Sequence, residues 1–225
     1  MNRQILNQLS QWKTKKNRKP LVLMGARQVG KTYTLKEFGK KEFSRVHYFN
    51  FELDKKLKDF FKTDIIPKRI VQDLAFYADS AIDFANDLVI FDEIQECPAA
   101  LTSLKYFAED FSTLAVCAAG SHIGMTLSTE SFPVGKVDIL KMYPLSFSEF
   151  LLALDDKRAL TFLNAHQLGE DVSEVVHQHA DKDEMVLNTG KFCHNHADIF
   201  CAFSHRNLHQ LFNRGHIPEV VAHRV

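Results

Sequence analysis

The sequence predicts an α/β fold built on a central parallel sheet. Three observations carry that expectation: continuous apolar runs of strand length, amphipathic helical segments between them, and a glycine-framed loop joining the first such run to a helix. Apolar runs without alternation suit strands covered on both faces. Strands that alternate with helices imply right-handed crossovers in a parallel sheet. The chain has 225 residues, 45% hydrophobic and 25% charged. That is room for one α/β domain of roughly 150 residues and a smaller second unit.

The elements follow in order. Ile5, Leu6, Leu9 and Trp12 recur at helical spacing, predicting a short amphipathic helix that docks on something downstream. Pro20 stops any helix, and Leu21-Val22-Leu23-Met24 reads as a buried strand. Residues 25 to 30 form a loop, and a helix is expected from Lys31 to Lys40, ending near Gly39. Val46 to Phe51 alternates and reads as a second strand. Residues 54 to 84 look helical, interrupted around Pro67. Leu88 to Phe91 is a third strand, running into Asp92-Glu93. Pro98 suits the first turn of a helix whose apolar face is Leu101, Leu104, Phe107 and Ala108. Leu114 to Ala119 and Val137 to Met142 are the fourth and fifth strands. Ser146-Phe147-Ser148-Glu149 is a capping box opening a helix through Leu154.

Composition narrows the function classes. Lysine plus arginine and aspartate plus glutamate both number 28, giving zero net charge, and the pI is near 7.2. The molecule as a whole therefore makes no strong electrostatic appeal to nucleic acid. Locally, Lys13, Lys15, Lys16, Arg18 and Lys19 form a basic run, read either as a solvated face next to a phosphate-binding site or as a nucleic-acid-binding segment. Four cysteines are too few and too scattered for a disulfide scaffold. Met1 to Leu9 contains no signal-peptide core, and the apolar runs fall short of a membrane span. A cytoplasmic setting with no membrane partner is expected.

The chemistry concentrates in two segments. Gly25-Ala26-Arg27-Gln28-Val29-Gly30-Lys31-Thr32 matches G-x-x-x-x-G-K-[ST], the P-loop or Walker A pattern, at every defined position. Its glycines allow backbone N–H groups to turn inward around phosphate oxygens, and the next helix adds the positive end of its dipole. Lys31 is placed to contact the β- and γ-phosphates, and the Thr32 hydroxyl to ligate Mg²⁺. Leu88-Val89-Ile90-Phe91-Asp92-Glu93 has the form of a Walker B strand. Asp92 can hold magnesium directly or through water, and Glu93 can act as general base on the attacking water. Ser121, at the end of the fourth strand, is either a γ-phosphate sensor or an ordinary turn serine. The Asp-Glu step separates the chain from simple phosphotransferring kinases, and no Asn-Lys-x-Asp guanine-reading segment is present. By elimination the nucleotide is ATP.

These blocks resemble the bacterial and archaeal AAA-like ATPases that carry a C-terminal domain of unknown function. The matching segments are Lys19 to Leu23 running into residues 25–32, Phe91 to Pro98, Ala119-Gly120-Ser121, and Met142 to Phe150. They lie in the family's order and cover about residues 1 to 155. The resemblance implies a P-loop NTPase three-layer sandwich with strand order 5-1-4-3-2, the strand ending at Ser121 lying between the P-loop strand and the Asp92-Glu93 strand. It implies ATP and Mg²⁺, with Gly30, Lys31, Thr32, Asp92, Glu93 and Ser121 in the roles given above. Lys136 stands where many relatives have arginine, which puts a catalytic-arginine role there in doubt. Gly215 to Val221 resembles the start of the relatives' C-terminal domain, so a shortened chain is expected, with 1–155 as the ATPase domain and 156–225 as a partial helical segment.

The late histidines, His177, His179, His194, His196, His205 and His209, lie near Cys193 and Cys201. Their spacing fits no established zinc pattern, so a solvated segment is expected rather than a metal site. The leading functional expectation is Mg-dependent ATP hydrolysis coupled to conformational change. The alternative is a nucleotide-gated interaction module with negligible turnover, whose partner is another protein or a second copy. DNA contact through the basic run is a third class.

Overall fold

The computed structural model describes residues 3–121, 132–153, 155 and 157–165. The chain divides into two units, Met1–Ala153 and Leu154–Val225. The histidine-rich tail and the segment 215–221 lie outside the described residues.

The first unit opens with helix α1 (Ile5–Thr14), which buries Ile5, Leu9 and Trp12, the spacing its apolar residues foreshadow. Strand β1 (Leu21–Met24) is buried along its whole length. Helix α2 (Lys31–Glu42) follows the glycine-framed loop. The Trp12 ring lies 6.3 Å from that of Phe38 on α2, which is where α1 docks. Strand β2 (Val46–Asn50) alternates, with His47 and Phe49 inward. A 3₁₀ helix (Lys55–Phe61) and helix α3 (Pro67–Tyr77) lead to strand β3 (Leu88–Asp92), buried throughout. Helix α4 (Pro98–Asp110) precedes strand β4 (Ala115–Gly120); strand β5 (Asp138–Lys141) and helix α5 (Phe147–Ala153) complete the unit. In the second unit, helix α6 spans Lys157–Ala165.

The strands form one parallel sheet in the order β2-β3-β4-β1-β5. Parallel pairing puts the C-terminal ends of β1, β3 and β4 on the same edge, where α/β sheets bind ligands. Phe91 fills the middle of the core. Its ring lies 5.7 to 6.3 Å from those of Phe49, Phe51, Phe61 and Phe107, within the range of favourable aromatic packing. Phe49, Phe51, Phe61, Phe91 and Phe107 thus form an aromatic cluster beside Asp92.

Two local expectations are corrected. Gly39 does not end α2, which continues to Glu42 with Phe43 as its C-cap. A Cβ at position 39 would come within 2.5 Å of Val46 Cγ2 and 2.9 Å of Leu88 Cδ2, so glycine lets the helix lie close against β2 and β3. Pro67 does not interrupt a long helix; it occupies the first turn of α3, where its missing N–H costs nothing. The preceding segment is 3₁₀, and residues past Ala78 leave the helical path.

The capping box is present. The Ser146 N–H donates to Glu149 Oε2 at 3.0 Å, and the Glu149 N–H donates to Ser146 Oγ at 3.2 Å. Glu149 also accepts from the Gln4 N–H at 2.8 Å and pairs with Arg3 Nε at 3.3 Å. One buried carboxylate therefore caps α5 and ties the start of α1 to it.

Candidate nucleotide-binding site

The loop after β1 is shaped by its glycines and by one strained residue. A side chain at position 25 would place Cβ 2.3 Å from the Met142 carbonyl oxygen, because the chain leaving β5 crosses there and the Met142 N–H donates to Met24 O at 2.7 Å. Gly30 has φ +94°, left-handed backbone that side chains disfavour. Gln28 also adopts positive φ, at 62°, unusual for a residue with a side chain. Such alternation of backbone handedness makes an anion-binding concavity. Helix α2 then starts with no side-chain cap and no acidic residue in its first turn. Its N–H groups and dipole are left to serve an anion.

Lys31 is buried, and its ammonium donates to Gly25 O at 2.9 Å and Ala26 O at 2.7 Å. The side chain folds back over the loop that would receive phosphate. Burial pushes the Lys31 ammonium below its ordinary value, an effect opposed by the charges of Glu93 and Asp92. Ala26, Arg27 and Gln28 are exposed, and Val29 is buried.

Thr32 and Asp92 meet. The Thr32 hydroxyl donates to Asp92 Oδ2 at 2.7 Å, although β4 separates β1, which leads through the loop to the helix carrying Thr32, from β3, which carries Asp92. Asp92 is 2% exposed, and its other oxygen, Oδ1, accepts from the Glu93 N–H at 3.1 Å. With its proton committed to Asp92, the Thr32 hydroxyl keeps lone pairs that can face a cation. An oxygen donor set of this kind suits Mg²⁺, which takes one or two protein oxygens and fills its shell with phosphate and water. Thr32 and Asp92 thus fit that ion.

Glu93 follows in left-handed backbone, φ 49°, which turns the chain off the strand into the 3₁₀ turn Ile94–Glu96. Its Oε2 accepts from Gln95 Nε2 at 2.6 Å. Ser121 comes directly after Gly120, which pairs with Met24 in the sheet. It therefore stands on the same edge as the loop.

Sequence reading missed part of this network. Tyr48 donates its hydroxyl to Asp92 Oδ2 at 2.7 Å, and Asn50 Nδ2 donates to the Tyr48 oxygen at 3.1 Å. Lys36 Nζ sits 3.4 Å from the centroid of the Tyr48 ring. Burial, first, then the neighbouring Asp92 carboxylate push the Tyr48 phenol up to about 12, with Asn50 opposing. The one available signal was that β2 alternates, which sends Tyr48 and Asn50 to one face. That this face adjoins Asp92 follows only from the β2–β3 register, where Asn50 stands opposite Asp92.

A sequence profile described as an AAA domain matches residues 17–151, the stretch that holds the loop, the acidic pair and the whole sheet. The chain belongs to the AAA-like P-loop ATPases. A search of curated proteins finds no match. Among solved structures, a Walker-type ATPase of Pyrococcus abyssi is similar at 18% identity with a TM-score of 0.47, over 80% of this chain and 62% of that one. The ORC1 protein of Aeropyrum pernix, solved in complex with DNA, is similar at 12% identity and a TM-score of 0.42, over 69% of this chain and 47% of that one. Drosophila ORC bound to DNA is similar at 14% identity and a TM-score of 0.47, over 86% and 57%. The chain thus spans less than two thirds of the length of each of these matched chains.

The basic run before β1 is largely taken up within the AAA domain. Lys13 pairs with Glu42, Lys15 with Asp138 at 2.6 Å, and Lys19 Nζ donates to Gly135 O at 2.6 Å. Arg18 donates to Thr113 O at 2.8 Å while lying over the Trp12 ring. Lys136 is paired with Glu109 at 2.7 Å. Among the described residues no group of three or more metal-ligating side chains occurs, and no helix is long and apolar enough to cross a membrane.

Proposed function

We propose that this AAA domain binds ATP with Mg²⁺ at residues 25–32 and hydrolyses it. The observation that carries the reading is the 2.7 Å hydrogen bond between Thr32 and Asp92, which joins the two motifs across an intervening strand. Gly25 to Gly30 and the start of α2 surround the phosphates with N–H groups. Lys31 leaves the carbonyls of Gly25 and Ala26 for the β- and γ-phosphate oxygens. Thr32 and Asp92 hold the magnesium ion, which would supply charge neutralisation on those oxygens.

Glu93 is the general base. A water held by its carboxylate forms a bond to the γ-phosphorus, the bond from that phosphorus to the bridging oxygen breaks, and the water's proton passes to Glu93. Gln95 fixes Oε2 of that carboxylate and leaves Oε1 to face the water. Ser121, on the neighbouring strand end, reports the state of the γ-phosphate to β4. The sequence division at about residue 155 makes 1–155 the ATPase unit.

One observation favours a second reading, a nucleotide-gated interaction module with little turnover of its own. Lys136, at the position where many relatives carry arginine, is paired with Glu109, so on this reading the catalytic cation is supplied from elsewhere than position 136. Such an arginine is worth about 10³ to 10⁵ in rate in related systems. A protein partner, a second copy or DNA could each bring the state of the site to bear. The deciding experiment compares ATP turnover by the parent and by Glu93→Gln at saturating MgCl₂. Loss of turnover with retained nucleotide affinity supports the hydrolase; equal turnover removes Glu93 as base and leaves the gated module.

A further inference from the structure

We propose that Tyr48 is the positioning residue for the magnesium-holding carboxylate, anchoring Asp92 from the edge strand β2. The proposal rests on the assignment of Thr32 and Asp92 as the Mg²⁺ site. It starts from an imbalance at Asp92. The carboxylate is buried, and its Oδ2 takes two hydroxyl donors, Thr32 and Tyr48, each at 2.7 Å. Thr32 lies on the phosphate-binding helix and must answer to the nucleotide. Tyr48 lies on the sheet and need not.

The phenol is itself held from two further sides. Asn50 Nδ2 donates to the Tyr48 oxygen at 3.1 Å. That oxygen already has a donor, and Asp92 can only accept, so the phenolic proton points at the carboxylate. Above the ring, the Lys36 ammonium sits 3.4 Å from the centroid, a cation–π contact that clamps the ring face to helix α2. Asn50 is fixed in turn, its Oδ1 accepting from the N–H groups of Glu52 and Leu53 at 3.0 and 2.8 Å. This chain of contacts runs from the β2 turn through Asn50 and Tyr48 to Asp92. With the Glu93 N–H on Oδ1, it fixes both carboxylate oxygens independently of Thr32. Hydrogen-bonded partners of this kind set the orientation of metal-binding carboxylates, and their removal costs about 10- to 100-fold in metal affinity.

The test is Tyr48→Phe, which keeps the ring and the Lys36 contact and removes only the hydroxyl. ATP binding is measured by calorimetry in EDTA and then across a MgCl₂ titration at constant ionic strength, with the thermal melt of the nucleotide-free protein alongside. Asp92→Asn is the reference variant in the same titration. The expected result is unchanged affinity in EDTA, an unchanged melt, and about a 10- to 100-fold higher MgCl₂ concentration to reach half of the magnesium-dependent gain. An unchanged MgCl₂ requirement in Tyr48→Phe, with a shifted requirement in Asp92→Asn, overturns the role of Tyr48 alone. Equal weakening in EDTA and in MgCl₂, with a lowered melt, makes Tyr48 a packing residue and also overturns it. If the parent shows no magnesium-dependent gain, or Asp92→Asn leaves it intact, the metal-site assignment falls and the proposal with it.

Discussion

Phe91 and Asp92 are neighbours on one strand and serve two different regions. Phe91 points into an aromatic cluster drawn from β2, the loop after it, the 3₁₀ helix and α4. Asp92 sits at the polar edge, bound to Thr32, Tyr48 and the Glu93 N–H. The cluster is held by many non-directional contacts, so its identity depends on volume and burial. The edge is held by a few directional bonds that reach across strands, so each partner matters individually. Stability and chemistry are therefore separable along β3, and substitutions one residue apart should read out differently.

The largest expected effect is at the edge. Glu93→Gln should reduce turnover by about 10²- to 10⁴-fold, the range for a lost general base, with an unchanged melt, checked by steady-state kinetics and calorimetry. Phe91→Ala should do the reverse. It should lower stability by about 3–5 kcal/mol in chemical denaturation, while the protein that remains folded keeps its nucleotide affinity. Ser146→Ala removes the hydroxyl of the capping box and should cost about 1 kcal/mol, again without effect at the site. The smallest effect is spectroscopic. Tyr48 loses its proton near pH 12 in the folded state, against about 10 when unfolded. Folding therefore favours the neutral phenol: this group leaves stability independent of pH below 10 and lowers it as the pH rises through 12. Ultraviolet titration of parent minus Tyr48→Phe should show the missing phenolate signal rising near pH 12; a rise near 10 would mean that neither burial nor the Asp92 carboxylate holds the phenol in its neutral form.

The same contrast explains what could be read from the sequence. Strands β1, β3 and β4 are uninterrupted apolar runs because both faces are covered, and such runs stand out. The capping box at Ser146 and Glu149 is local, so its residues announce themselves within four positions. The glycine-framed loop and the Asp92-Glu93 step are also local signatures, and the sheet brings their key side chains within hydrogen-bonding distance. Gly39 was ambiguous: a glycine late in a helix signals an end as readily as a close approach, and only the packing of Val46 and Leu88 decides. Pro67 was ambiguous in the same way, since the first turn and a break look alike without the preceding backbone. Tyr48 was invisible for a different reason. Its place beside Asp92 depends on which strands are neighbours and in what register, a property of the assembled sheet.

The central claim is that residues 25–32 hold a nucleotide's phosphates with Thr32 and Asp92 closing the site. It is tested most directly by calorimetric titration of ATP with MgCl₂ into the parent and into Lys31→Ala. Saturable binding by the parent, lost in a Lys31→Ala protein that melts normally, is the predicted result. Undiminished binding by Lys31→Ala, or none by the parent, would contradict it.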